Sequence, residues 1–312
     1  MTTINEKEVL VLVKKEVTEG TDAVPTGVAN AIATNSFSLK PAEKTEVKRD
    51  LDRPGRGASP SLIHGIHGTT SFKVEMQTSG VLGTRPAYGD LLLASQFAET
   101  ITAITSVEYD PVSAAQDSAT LYAYLDTILH KLTSWRGAMG LEMTAGAVPY
   151  FTFSGMGLWT QPSDEVLPAA DFSSQLAPET VSKEATLIAD FMGFAMPLVG
   201  FSVGDPSNVT YRNLPNQEAI RASGERGLTG QVEFLMSSIA GFDPYAALQA
   251  ASLSALQIVH GSTAAKKVQV DAPKVQITGV DMGSSEGERT YKLDLLLTAG
   301  DSGDDDLKLT FI

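Results

Sequence analysis

Residues 64 to 68 read HGIHG and place two of the chain's four histidines, His64 and His67, three positions apart. Paired imidazoles invite a metal. A strand points residues i and i+3 to opposite faces, so only a helical turn would bring the rings together. Gly65 and Gly68 disfavour that turn, and no third ligand stands at a fixed spacing, so the sequence predicts no metal there. The stretch GDSGDDD, 300–306, is rich in carboxylates but lacks the twelfth-position glutamate and flanking helices of a calcium loop. GERG and GLTG do not follow a phosphate-cradling pattern, and neither GxSxG nor HExxH occurs. With no cysteine there is no thiolate nucleophile, thiolate metal site or disulfide. No catalytic residue, cofactor or metal is predicted, and a metal-dependent enzyme built on His64 and His67 is the weakest of three readings.

Charge narrows the partners. The formal charge is -14, with 13 basic and 17 acidic groups in residues 1–160 against 10 and 20 in residues 161–312. Gripping nucleic acid requires Lys and Arg against phosphates, so this balance opposes tight DNA binding, and solubility alone is the plainer reading of the same charge. No apolar run reaches the ~18 residues needed to cross a bilayer. The start MTTINEKEVLVLVKKE has acids where a secretion signal needs a basic and then an apolar stretch. The expectation is a protein without membrane partners. Trp135 and Trp159 read as core or interface anchors rather than a stacking platform for bases.

Stepping along the chain, PAYGDLLLAS (86–95) has an echo in PYAALQAAS (244–252), with Tyr88 and Tyr245 157 residues apart. Both stretches have helical spacing, and Pro244 after Asp243 reads as a first helical position behind an acidic cap. Upstream of each lies an alternating strand, Phe72–Val74–Met76 and Val232–Phe234, whose Val-Glu pairs are 158 apart. Downstream, GLEM (140–143) recurs as GVDM (279–282), offset 139; FSL at Phe37 and FSV at Phe201 are 164 apart. The same order occurs twice.

The changing offsets predict two insertions in the first half. One falls in KPAEKTEVKRDLDRPGRGASPSLIHGIHG, read as a long irregular loop over about 43–68; the other is placed with SATLYAYLDTILHKLTS, read as an extended hairpin arm or a partly helical piece. The predicted organisation is a first domain over 1–160, a Pro-rich linker over 161–180 and a second domain over 181–312. The fold class is mainly β with short helices: two tandem β-sandwich domains, each with one flanking helix.

A period of about 150 residues is too long for a solenoid unit, so each copy is a complete small domain. Two similar domains with similar edges allow three chains to close a pseudo-sixfold ring, which also removes exposed strand edges. A tandem pair that never assembles is the plain alternative. The mixed-charge loop, with Lys40, Lys44, Lys48, Arg49, Arg53 and Arg56 interleaved with Glu43, Glu46, Asp50 and Asp52, has the length of a functional loop. The ending, with Leu307, Leu309 and Phe311 alternating, is able to add a strand to a neighbour, although a frayed terminus is the default.

The residues VLVKKEVTEGTDAVPTGVANAI (11–32), RDLDRPGRGASPSLIHGIHGTTSFKVEM (49–76), PAYGDLLLASQFAETIT (86–102) and YDPVS (109–113) together resemble the major tail tube proteins of long-tailed, siphovirus-like bacteriophages. The resemblance covers residues 9–113 and reaches the rest only through the duplication. It implies a virion protein of a non-contractile tail, whose strands join neighbours into a β-barrel ring around a lumen for DNA. It further implies self-association, a tape-measure protein inside and terminator or adaptor proteins at the ends, with assembly in the host cytoplasm. The long loop then reaches the next ring, with Lys48, Arg49, Asp50, Asp52, Arg53 and Arg56 as its stacking residues. Glu75, Glu142, Glu233 and Asp281, on the polar faces of their strands, become lumen-lining acids that repel the phosphates of passing double-stranded DNA. The remaining alternative, a DNA-encircling clamp, needs helices that carry Lys and Arg toward the hole.

Overall fold

The computed structural model describes residues 4–52, 54–204, 209–223, 226–300 and 303–312. Alternation of apolar and polar side chains, as in YFTFSGMGLW at 150–159, makes strands the dominant element. The first half contains β1 (Val9–Lys15), α1 (Gly27–Asn30), β2 (Ala31–Ile32), β3 (Asn35–Val47), β4 (Leu62–Glu75), α2 (Gly89–Ala94), β5 (Phe97–Thr102), β6 (Ser106–Pro111), β7 (Ala119–Leu125), β8 (Ile128–Thr144), β9 (Tyr150–Trp159) and β10 (Ser163–Asp164). The second contains β11 (Thr186–Phe191), β12 (Phe194–Ala195), β13 (Leu198–Gly204), β14 (Val209–Leu214), β15 (Gln217–Ala222), β16 (Thr229–Leu235), α3 (Pro244–Gln249), β17 (Leu253–His260), β18 (Val268–Ser285), β19 (Glu288–Leu297) and β20 (Lys308–Phe311). The fold is mainly β with short helices.

The two halves repeat one pairing pattern. In the first, β3, β4, β9 and β8 lie side by side and antiparallel; in the second, β13, β16, β19 and β18 do the same. Val74, Phe151 and Leu141 form one row across the first set, and Val232, Leu293 and Val280 the matching row across the second. The long strands β8 and β18 then leave this inner sheet: their first portions pair with β7 and β17, which β1 and β11 cover. Between the inner and outer layers sits a shared apolar core.

One irregularity in β8 fixes a large part of that core. The register slips between Thr133 and Arg136, with Ser134 at φ 48, which turns Trp135 inward. Its ring nitrogen donates to the Thr70 hydroxyl at 2.9 Å. Gly137 and Gly155 are needed beside it, because a Cβ at either would stand 2.6 Å from the indole.

The helices follow their local sequence. Asp243 caps α3, its carboxylate accepting from the amides of Tyr245 and Ala246 at 3.1 and 3.0 Å, ahead of Pro244 at the first position. Tyr88 precedes α2, is wholly buried, and donates its hydroxyl to the Gln77 carbonyl at 2.7 Å. Its echo Tyr245 is substantially exposed. Phe311 of β20 and Phe151 both pack on Tyr88, with ring centroids 6.1 and 5.4 Å away.

Three expectations are corrected. The 43–68 stretch is not irregular throughout: β3 runs to Val47 and β4 starts at Leu62, so it forms an extended two-stranded arm, and the described residues between the strands, 48–52 and 54–61, are in neither helix nor strand. Solvent on both faces of the arm removes the apolar alternation by which sequence reveals a strand. SATLYAYLDTILHKLTS is a hairpin, β7–β8, as the first of its two readings had it, but β17–β18 matches it, so the extra element of the first half is the β5–β6 hairpin before it. A length difference counts added residues without locating them. The last strand is not frayed, since β20 inserts between β18 and β6 with Leu309 and Phe311 buried. Along residues 161–180, β10 pairs with β8, Gln175 bonds Ala31 and Ala33, and the Glu179 carboxylate accepts from the Ser262 amide and hydroxyl at 2.8 Å.

Candidate functional site

The inner sheets of the two halves are fused edge to edge. β8 pairs with β13 from Gly140 opposite Gly204 to Thr144 opposite Gly200. The eight strands β3, β4, β9, β8, β13, β16, β19 and β18 are thereby continuous. Among the described residues, the edge of β3 away from β4 and, beyond Gln276, the edge of β18 away from β19 take no strand partner.

Glu75, Glu142, Glu233 and Asp281 all lie on the face of this sheet opposite the core. Each alternates with core-side neighbours: Val74, Leu141 and Met143, Val232 and Phe234, and Val280. Glu75, Tyr150, Glu142, Ser202, Gln231 and Asp294 form one transverse row, and Gly200, Glu233, Lys292 and Asp281 the next. Glycine, serine and threonine fill several of its positions, among them Gly140, Thr152, Ser202, Gly204 and Thr229.

Its charge is less uniform than a wall of acids. Lys73 bonds Glu142 at 2.5 Å, and Lys292 stands opposite both Glu233 and Asp281. Glu233 also accepts from the Thr290 hydroxyl at 2.7 Å. Asp294, missed by the sequence reading, is a fifth acid of the face and accepts from Gln231 at 2.8 Å. The alternation of YKLDLLL, with Tyr291, Leu293 and Leu295 buried, would have revealed both Lys292 and Asp294.

The arm has its own geometry. Lys48, Arg49, Asp50, Asp52 and Arg56 are exposed between its two strands, and Arg53 lies outside the described residues. Val47, Leu51, Leu62 and Ile63 add exposed apolar groups at its end. The histidines do not converge: His64 is exposed, while His67 stacks on Tyr211 of the second half, centroids 4.4 Å apart, with its Nε2 3.9 Å from Glu43. Among the described residues no group of three His, Cys, Asp or Glu is placed to hold a metal. Burial and the bond to Glu218 push the Tyr211 hydroxyl up to about 12.

Tyr211 belongs to the β14–β15 hairpin, which stands in the second half where the arm stands in the first. This hairpin does not project. It packs on β4, β8 and β9, and the Ile220 carbonyl accepts from Arg136 at 2.7 Å. Neither α2 nor α3 carries a basic residue, so the helices lack the groups a DNA-encircling clamp would turn inward.

The family model described as phage tail tube protein matches residues 7–299. The chain belongs to the phage tail tube protein family. None of the curated proteins compared with it matches. Membership of the tail tube family makes the chain a structural, self-assembling component of the virion tail.

Proposed function

We propose that copies of this chain join head to tail into trimeric rings, each presenting six similar halves around a hollow, and that the rings stack into the tail tube of a long-tailed, non-contractile phage. One observation carries the proposal: the β8–β13 seam joins two sheets of identical strand order, leaving a β3 edge at one end of the chain and a β18 edge at the other. Unlike edges at opposite ends make a head-to-tail contact, which closes when the rotation between copies is a whole fraction of a turn. Free edges expose unpaired amide and carbonyl groups until another copy covers them.

In this reading 1–160 and 181–312 act as two tube domains. The polar face of the sheet lines the lumen, with Glu75, Glu142, Glu233, Asp281 and Asp294 outnumbering Lys73 and Lys292. Excess negative charge denies DNA the cationic contacts that cause adhesion, so double-stranded DNA slides during ejection. The β3–β4 arm of each copy reaches the adjacent ring, whereas the β14–β15 hairpin braces its own chain. A tape-measure protein occupies the lumen before ejection, and terminator or adaptor proteins cover the open ends; assembly takes place in the host cytoplasm.

Negative-stain microscopy of the purified chain tests this directly. Long hollow tubes, or rings of three copies that stack as concentration rises, are expected. A monodisperse monomer at every concentration would overturn the proposal.

A further inference from the structure

We infer that the contact between neighbouring copies repeats the seam between the chain's own halves: the turn Ile4–Glu8 and the β3 edge of one copy dock together on the β18–β19 turn and β18 edge of the next. This rests on the ring reading above and adds which residues meet, and in what register.

The internal seam has two parts. In the ladder, Met143 faces Phe201, and both are buried, at 2% and 3% exposed. Beside it, the second half enters through a turn in which the Ala185 amide donates to the Ser182 carbonyl at 3.2 Å. Val181, just ahead of that turn, docks on the β8–β9 turn. Its amide donates to the Ala147 carbonyl at 2.9 Å, its carbonyl accepts from the Gly146 amide at 2.8 Å, and it is 4% exposed.

Each part has a counterpart that is left uncovered. The Glu8 amide donates to the Asn5 carbonyl at 3.3 Å in a turn that leads into β1, as Ser182–Ala185 leads into β11. The Glu8 carbonyl accepts from the Asp126 amide just past β7, and the Ala185 carbonyl from the Gly261 amide just past β17. Ile4 therefore holds the place of Val181, yet it is 47% exposed. In the ladder, the matched rows put Gly279 where Gly140 stands and Met282 where Met143 stands. Met282 is 60% exposed. An apolar residue buried at one seam and bare at its equivalent is what a missing copy of the same partner leaves behind.

The strand registers set the alignment. Ser71 and Thr229 each precede the matched Val74 and Val232 by three residues, and they pair with Ser38 and Gly204. Ser38 thus stands for Gly204 and belongs opposite Gly279. Asn35 pairs with Lys73 as Ser202 pairs with Gln231. Beyond the irregularity at Ser36, Asn35 therefore belongs opposite Asp281, as Ser202 is opposite Glu142. A five-residue ladder alone is far smaller than a standard interface of roughly 1,600 Å², so the amino-terminal turn supplies a second, apolar contact.

The absence of native cysteine makes the register directly measurable. Directly opposed strand residues lie close enough for a disulfide. The double variant Asn35→Cys/Asp281→Cys, assembled under reducing conditions and then oxidised, is expected to shift on non-reducing electrophoresis from single-chain mass to three times that mass. Lys40→Cys/Asp281→Cys, displaced along the strand, is expected to stay at single-chain mass. Ile4→Asp is expected to shift assemblies toward single copies with the circular dichroism of the folded chain unchanged. Rings that form but link only through the displaced pair would overturn the inference while leaving the ring reading intact, as would Ile4→Asp rings as stable as the parent's. Failure of the parent chain to form any ring would remove both.

Discussion

Arg136 binds Glu19 through both terminal nitrogens, at 3.0 and 3.2 Å, while its Nη1 also donates to the Ile220 carbonyl. One buried guanidinium thus ties β8 to the segment after β1 and to the hairpin of the other half. Arg136→Met keeps the volume but leaves the Ile220 carbonyl without this donor. The expected loss is about 1–3 kcal/mol, because Glu19 is partly exposed and retains Arg221. Urea unfolding monitored by tryptophan fluorescence reads it, and an unchanged midpoint would remove this side chain from the account of how the halves are held.

Acid should weaken the contacts between segments in two ways. The hydrogen bond from Arg136 holds the Glu19 carboxyl below its ordinary value, so its contribution is present at neutral pH and lost as pH falls through the depressed value. Burial holds His260 below its ordinary value; its ring nitrogens sit 3.1 Å from the Thr186 hydroxyl and the Glu179 carbonyl. The unfolded chain takes up that proton first, so stability falls as pH drops below about 6.5. Melting temperature measured between pH 7 and pH 4 should therefore decline, and His260→Gln should flatten the upper part of the decline.

The carboxyl-terminal strand is expected to act as a structural staple. Phe311 packs edge-on against Tyr109, centroids 5.6 Å apart, and β20 bridges β18 and β6. Phe311→Ala should cost about 3–5 kcal/mol, the usual range for emptying a buried aromatic site. Removing residues 308–312 should expose the β5–β6 hairpin to protease. A truncated chain with the parent's unfolding midpoint would contradict this.

Much of this architecture is legible in the residues, and the losses have physical causes. Strands with one face in the core announce themselves by alternation: Phe72–Val74 and Val232–Phe234 in β4 and β16 are plain, as is the Asp243–Pro244 cap. The arm strands are wet on both sides and leave no such trace, so Asn35–Val47 was visible only in part. The matching of Phe37 with Phe201 by likeness fails for a related reason. Strand register pairs Phe201 with Val232 but sets Phe37 beside Phe72, 5.8 Å away, because the β3 irregularity inserts one residue. The four acids were legible from alternation, but their lysine partners came from neighbouring strands, which no linear pattern orders.

The arm's role can be read by proteolysis. Lys48, Arg49 and Arg56 are exposed, so trypsin should cut the single chain within 48–56 before it cuts elsewhere. Stacking of rings should bury the arm and slow that cut more than tenfold in assembled tubes, by electrophoresis of timed digests. Equal rates in tubes and single copies would mean that the arm does not dock on the adjacent ring.

The lumen charge gives the last test. Glu75→Gln, Glu142→Gln, Glu233→Gln and Asp281→Asn together leave Asp294 as the one remaining acid of the five against Lys73 and Lys292, and turn the balance of these positions from acidic to basic. None of these four side chains is in the core, so assembly should persist. A passage walled by unpaired lysines releases counterions when phosphates approach, and its hold on DNA should weaken steeply as salt rises. The quadruple variant should therefore retain double-stranded fragments at low salt, and phage carrying it should eject DNA more slowly than the parent, whereas parent tubes should retain none. If the variant tubes neither retain DNA nor slow ejection, the face that bears these four residues does not line the passage.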